Sequence, residues 1–108
     1  MSYKVKTLSV FERQAKRLMK KFPSLKKEIR KLIDELKEEP EKGNYIGHNC
    51  YKIRLAIESK GKGKSGGARV ITHLVFMNDT VYLLSIYDKS DIENLTNKEI
   101  LELIKLIP

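Results

Sequence analysis

The spacing of apolar residues changes in mid-chain, and that change constrains the fold more than any other feature. From residue 11 to residue 36 they fall three and four apart: Phe11, Ala15, Leu18, Met19 and Phe22, then, beyond Pro23, Leu25, Ile29, Leu32, Ile33 and Leu36. This is the spacing of two helices that each bury one stripe, and so short a break folds them back as an antiparallel pair. From residue 51 the period becomes two. Tyr51, Ile53, Leu55 and Ile57 are interleaved with Lys52, Arg54, Ala56 and Glu58, which predicts a strand with one apolar face and one face that opens on two cations. Ala68 to Met77 is apolar on both sides apart from Arg69, Thr72 and His73; after a turn at Asn78-Asp79, Val81 to Tyr87 is apolar enough for a central strand.

The remaining segments complete the order. Tyr3 to Leu8 reads as an edge strand, and Ser9 with Glu12 has the spacing of a capping box. Ser24 is the expected N-cap of the second helix, Pro40 and Gly43 end it, and Glu38 to Asn44 reads as a solvated loop. Thr96 with Glu99 forms a second capping box, opening a short helix with Ile100, Leu103, Ile104 and Ile107 on one side. The predicted fold is therefore α+β, in the order β-α-α-β-β-β-α. It is one domain over residues 1–108, an antiparallel-rich sheet packed by an N-terminal helix pair with a short C-terminal helix.

A chain of 108 residues holds one core without disulfides or metal. Cys50 is the only cysteine, so no internal disulfide forms, and neither a metal site nor a cofactor is expected. No charged leader with an apolar run stands at the N-terminus, and no segment approaches membrane-spanning length, so a reducing, cytoplasmic setting without membrane attachment is the expectation.

The net charge of +8 is unevenly placed. Residues 1–22 carry seven Lys/Arg against Glu12, and residues 43–75 carry six against Glu58, whereas residues 76–108 carry three against six acids. The positive field belongs to the first helix and the central strands, which favours an anionic partner such as nucleic acid. Between two strands lies the basic run Lys60-Gly61-Lys62-Gly63-Lys64-Ser65-Gly66-Gly67-Ala68-Arg69. Its Gly63-Lys64-Ser65 matches the end of a phosphate-binding P-loop, but the leading glycine would fall on Glu58, and a strand follows where the motif requires a helix. Lys60, Lys62 and Lys64 instead suit an anionic polymer, which the family resemblance given below makes RNA.

Lys52 and Arg54 point to one face of their strand, Arg69 opens the next strand, and Tyr87 and Lys89 close the last, so all five converge on one patch of an antiparallel sheet. Singly, each has an ordinary account as a solvating or packed residue. Tyr51-Lys52-Ile53-Arg54-Leu55, Ser59 through Arg69-Val70-Ile71, and Tyr82-Leu83-Leu84-Ser85-Ile86-Tyr87-Asp88-Lys89 with the acidic spacer and Leu95 that follow resemble the RelE/ParE toxin superfamily. The resemblance is greatest to HigB-type toxins of the RelE branch, and it covers nearly the whole chain.

The resemblance implies a ribosome-dependent mRNA endonuclease that needs no metal. A ribose 2′-hydroxyl attacks the adjacent phosphate in the ribosomal A site while cations stabilise the phosphorane. It also implies neutralisation by a cognate antitoxin, usually DNA-binding, in a hetero-oligomeric complex. Position by position, Lys52 and Arg54 match the family's paired basic residues and Arg69 its strand-opening arginine. Tyr87 and Lys89 lie where relatives place their remaining catalytic groups. Lys52 suits proton transfer, since a lysine among cations can lose its proton where arginine stays charged; Arg54 and Arg69 suit bidentate phosphate contact. Arg69, as an exposed strand-end cation, is expected to matter little for stability. His48 and His73 form no pair placed for acid–base work. The rivals are a ParE-like gyrase inhibitor, which generally lacks this basic set, and a non-catalytic RNA-binding domain, against which stands the lack of exposed aromatic pairs on the sheet.

Overall fold

The computed structural model describes residues 2–61 and 66–108. Its elements are β1 (Lys4–Thr7), α1 (Ser9–Lys21), α2 (Leu25–Glu38), β2 (Asn44–Gly47), β3 (Cys50–Leu55), β4 (Ala68–Val75), β5 (Thr80–Asp88) and α3 (Asn97–Ile104), with 3₁₀ turns at Glu58–Lys60 and Phe76–Asn78. The strands form one sheet in the order β1-β5-β4-β3-β2, antiparallel except where β1 runs parallel to β5. The α+β architecture expected from the change of period is present, with one strand more than the sequence predicts.

That strand is β2, where a solvated loop is expected up to Asn44. It forms because the chain turns back tightly. Gly47 pairs with Cys50, and the two residues between, His48 and Asn49, take left-handed φ angles of 55° and 57°. Such a turn matches the twist of a hairpin. Tyr45 then lies opposite Tyr51, their rings edge to face with centroids 5.3 Å apart.

The sheet separates two apolar clusters. On one side α1 and α2 bury Phe11, Ala15, Leu18, Leu25, Ile29, Leu32 and Leu36 against Ile53, Val70, Val81, Leu83 and Ile86. The helices fold back as expected: α1 leads towards the Asp88 end of β5, and α2 returns to β1, where the Lys37 carbonyl accepts from the Tyr3 amide at 2.9 Å. On the other side α3 lays Ile100 on Leu8, Ile71, Tyr82, Leu84 and Tyr87. Ser85, opposite Ile71 beside the register shift at Ile71 and Thr72, stays on the α3 side, and Gln14 of α1 reaches it at the edge of β5, where its Oε1 accepts from the Ser85 hydroxyl and the Ile86 amide, both at 3.0 Å.

Several local expectations change. The residue capping α1 is Leu8, which makes no side-chain cap; its amide bonds Leu83 O, prolonging β1, and Glu12 accepts from the Thr7 hydroxyl instead of closing a box with Ser9. Ser24 is the N-cap residue of α2 as expected, but its backbone is already helical and its side chain makes no cap bond. Its hydroxyl lies 2.8 Å from that of Ser59 and receives the Ser59 amide at 2.9 Å, while Glu28 Oε2 receives the Glu58 amide at 2.7 Å. These α2 groups draw the backbone out of the sheet, which is why β3 stops at Leu55 rather than reaching Glu58. β4 likewise ends at Val75, before the 3₁₀ turn and left-handed Asp79. The Thr96–Glu99 capping box is complete.

Candidate functional site

The register of the three central strands assembles the site. Arg54 stands opposite Arg69, and Arg69 opposite Tyr87, so the three form one row across β3, β4 and β5. At ordinary strand spacing the row spans roughly 10 Å. Lys52 precedes Arg54 by two residues on the same face, opposite Ile71. Because Ile71 and Tyr87 belong to the cluster under α3, the row lies on the α3 side of the sheet, beyond the part that the helix covers. Lys89 extends the β4–β5 pairing by donating its amide to Gly67 O at 3.1 Å. Gly67 is required there, since a Cβ would come within 2.1 Å of Leu55 O.

Lys52, Arg54, Arg69 and Lys89 line a cleft of roughly 210 Å³ together with Glu93 and Asn94, four cations against one carboxylate. A second pocket of roughly 200 Å³ adjoins it, lined by Ile46, Lys52, Ile71, Tyr87, Asn94, Leu95, Asn97 and Ile100. Lys52 and Asn94 stand in both walls, and Lys52 Nζ donates to Asn94 Oδ1 at 2.8 Å. The structure thus brings Lys52, Arg54, Arg69, Tyr87 and Lys89 to one place. Asn94 and Glu93, which sequence reasoning left in an acidic spacer, line the same cleft. Nothing local marks Asn94, because its partner lies 42 positions away.

Two residues sit deeper than expected. Arg69 is 3% exposed, on a central strand and between Arg54 and Tyr87; among its contacts Nη1 donates to Ala68 O at 3.1 Å. It is therefore not the exposed strand-end cation that its sequence position suggests. Tyr87 is 4% exposed, and its hydroxyl has no partner in hydrogen-bonding geometry among the described residues. Burial raises the pKa of its phenol; the positive charge of Arg69 and the nearby Leu95 backbone oppose that shift without cancelling it. Tyr87 is consequently a protonated phenol at neutral pH.

Lys60 departs from its expected role in RNA contact. Its ammonium pairs with Asp88 at side-chain exposures of 10% and 2%, donates to Ser90 Oγ at 2.9 Å and stands 5.8 Å from the Phe22 ring centroid. Phe22 and Ala68, which pairs with Asp88, belong to the cluster under α1 and α2, so Lys60 faces the side of the sheet away from the cleft. Its partner lies 28 positions away, which no local pattern reveals. Burial alone would raise the Asp88 carboxyl, but Lys60 and the Ser90 amide outweigh it and hold the pKa below the ordinary 3.8. Lys62 and Lys64 lie outside the described residues, as does the Gly63-Lys64-Ser65 match; β4 begins at Ala68, where a P-loop would continue as a helix.

The histidines stand apart from the cleft. His48 occupies the tip of the β2–β3 hairpin, and His73 pairs with Cys50 at that same end of β3. His73 Nδ1 lies 3.4 Å from Cys50 Sγ; burial pushes the thiol up to about 11 and, as the largest influence, lowers the imidazole. Among the described residues no three His, Cys, Asp or Glu side chains are grouped so as to hold a metal ion. No helix among them is long and apolar enough to cross a membrane.

Fold and cleft define a small α+β protein with a concentrated cationic surface on an open sheet face. The family model described as RelE toxin of the RelE/RelB toxin-antitoxin system matches residues 4–107, and the chain belongs to this family. Solved structures agree on the fold. A mutant of E. coli toxin RelE in the free state superposes with a TM-score of 0.58 at 20% identity, covering 100% of both chains. The isolated E. coli RelE toxin gives 0.57 at 17% identity, over 98% of this chain and 100% of that one. The toxin-antitoxin complex RelBE2 of Mycobacterium tuberculosis gives 0.59 at 15% identity, over 84% and 95%.

Proposed function

We propose that this RelE-family toxin is a cytoplasmic, ribosome-dependent mRNA endonuclease of the HigB type, held inactive in a hetero-oligomer by a RelB-like, DNA-binding antitoxin. The observation that carries the reading is the convergence of Lys52, Arg54, Arg69 and Lys89 on one small cleft beside Tyr87. The solved complex of a fold relative with its antitoxin supports the partner.

In the proposed reaction the O2′–P bond forms and the P–O5′ bond breaks. A proton leaves the 2′-hydroxyl, and one is delivered to the departing 5′-oxygen. Lys52 takes the first proton, while Arg54 and Arg69 face the phosphate and offset the charge that grows on its oxygens. Tyr87, kept as a phenol by burial, is assigned the second proton, which requires its buried hydroxyl to be uncovered when the message binds. Lys89 meets a flanking phosphate. With no histidine pair at the cleft, the rate depends on the ribosome to present the message in line, because orientation supplies what a weak acid–base set does not.

Purified protein, programmed ribosomes and primer extension test this reading. Cleavage of message in an occupied A site, with free RNA largely intact, is expected; an intact message at an occupied A site sinks it. Chelation of trace transition metals, at magnesium levels that keep ribosomes whole, is expected to leave cutting unchanged. Restoration by zinc or manganese after its loss would remove the metal-free mechanism.

A further inference from the structure

We infer that Asn94 is a positioning residue for Lys52, a neutral acceptor that aims the ammonium into the cleft. The proposal rests on the reading of Lys52 as the group that takes the 2′-hydroxyl proton. Its basis is the 2.8 Å bond from Lys52 Nζ to Asn94 Oδ1, across the wall shared by the cationic cleft and the apolar pocket beside it.

The contact is built from both ends. Upstream, the amides of Asp91 and Ile92 bond back to Asp88 O at 3.0 and 3.2 Å. Downstream, Leu95 packs on the cluster under α3, and the box between Thr96 and Glu99 fixes the start of that helix. Asn94 is thus suspended between two anchored points. Lys52 is half-buried on a strand paired on both sides, so neither partner travels far to meet the other.

The chemistry of the acceptor matters as much as its place. The charged or titratable groups around Lys52 are Arg54 on its own strand, Arg69 on β4, Tyr87 on β5, Lys89 and Glu93 on the segment after β5, and Lys42 before β2; β2 and α3 add the neutral Asn44 and Asn97. Two acceptors stand side by side on that segment, Glu93 and Asn94, and the amide makes the bond. A carboxylate in its place would stabilise the ammonium and oppose release of its proton, whereas an amide orients the nitrogen without adding charge.

The test compares wild type, Asn94→Ala, Asn94→Asp and Lys52→Ala in single-turnover cleavage on programmed ribosomes, from neutral to alkaline pH. Ratios of variant to wild-type rate cancel the titration of the ribosome itself. Asn94→Ala is expected to lower the maximal rate about tenfold with half-saturation for ribosomes unchanged, since orientation and not binding is lost. Asn94→Asp is expected to move the rising limb of the rate profile upward by about one pH unit. Position 94 is exposed, so thermal unfolding is expected to stay as in wild type, and a merely structural role would leave the pH profile in place. If Lys52→Ala still cleaves, the reading of Lys52 falls and the proposal with it. If Lys52→Ala is inactive while both Asn94 variants match wild type in rate and profile, the positioning role alone is overturned.

Discussion

The Tyr87 hydroxyl is buried near the Leu95 backbone without a hydrogen bond of good geometry among the described residues, and a buried polar group so weakly partnered costs stability. Tyr87→Phe is therefore expected to leave the unfolding free energy unchanged or to raise it by up to about 1 kcal/mol. The same change is expected to slow message cleavage, because the phenol is then missing at the leaving oxygen. A variant both less stable and fully active would show instead that the hydroxyl has a structural partner. Arg69 behaves differently. Its burial between Arg54 and Tyr87 means that Arg69→Ala is expected to lower stability by about 1–3 kcal/mol, in the range of other core truncations, so loss of toxicity in that variant needs an unfolding curve beside it. The grouping of Lys52, Arg54, Arg69 and Tyr87 was legible in the sequence because alternation places residues on faces and antiparallel neighbours bring the end of one strand beside the start of the next. Depth was not legible: Arg69 reads as a strand end until β3 and β5 are seen on either side of it.

At the scale of elements, the long apolar stripes of α1 and α2 and the alternation in β3 survive intact, since each is repeated over several turns or residues. What escaped was made by single tertiary contacts. β2 depends on a two-residue turn with His48 and Asn49 in left-handed backbone, and the end of β3 depends on the Ser24 and Glu28 side chains of α2. The ion pair between Lys60 and Asp88 is of the same kind, tying the turn at Glu58–Lys60 to the end of β5 on the helix side of the sheet. Lys60→Met is expected to destabilise the protein by about 3 kcal/mol, because it leaves a buried carboxylate without its cation. The pH dependence has a definite sign. The folded Asp88 carboxyl titrates below its ordinary 3.8, so its contribution is complete above that value and is lost as pH falls through the lowered folded one. Urea unfolding is therefore expected to show a gap between wild type and Lys60→Met that is widest near neutral pH and narrows in acid below the ordinary carboxylate range. A gap that stays constant through that range would mean that the pair contributes nothing through charge.

Over the whole molecule the positive charge occupies both sides of the sheet. Arg13, Lys16, Arg17, Lys20 and Lys21 are exposed on α1, which packs on one side, while Arg54 and Lys89 are exposed at the cleft on the other. The uneven charge of the sequence foretold a cationic protein but not this division, which follows from α1 and the row of Arg54, Arg69 and Tyr87 meeting β5 from opposite faces. A cleft lined by four cations can meet only a few phosphates, whereas a helix lined with cations can meet a broader anionic surface such as ribosomal RNA. Binding to ribosomes is accordingly expected to weaken steeply with salt, each cation that contacts a phosphate contributing about 0.7–0.9 to the slope of log affinity against log salt. Lys52→Ala removes one cation, so its slope is expected to fall by no more than about one such step while cleavage is lost. The double change of Lys16→Gln and Arg17→Gln lies away from the cleft. It is expected to flatten the slope by up to about two steps and to leave the cleavage rate of bound, saturated ribosomes as in wild type. Filter binding over a salt series, paired with single-turnover cleavage of the same samples, separates the two surfaces. Loss of cleavage in the α1 variant at saturation, with its salt slope unchanged, would place the helix in the chemistry and not in the docking.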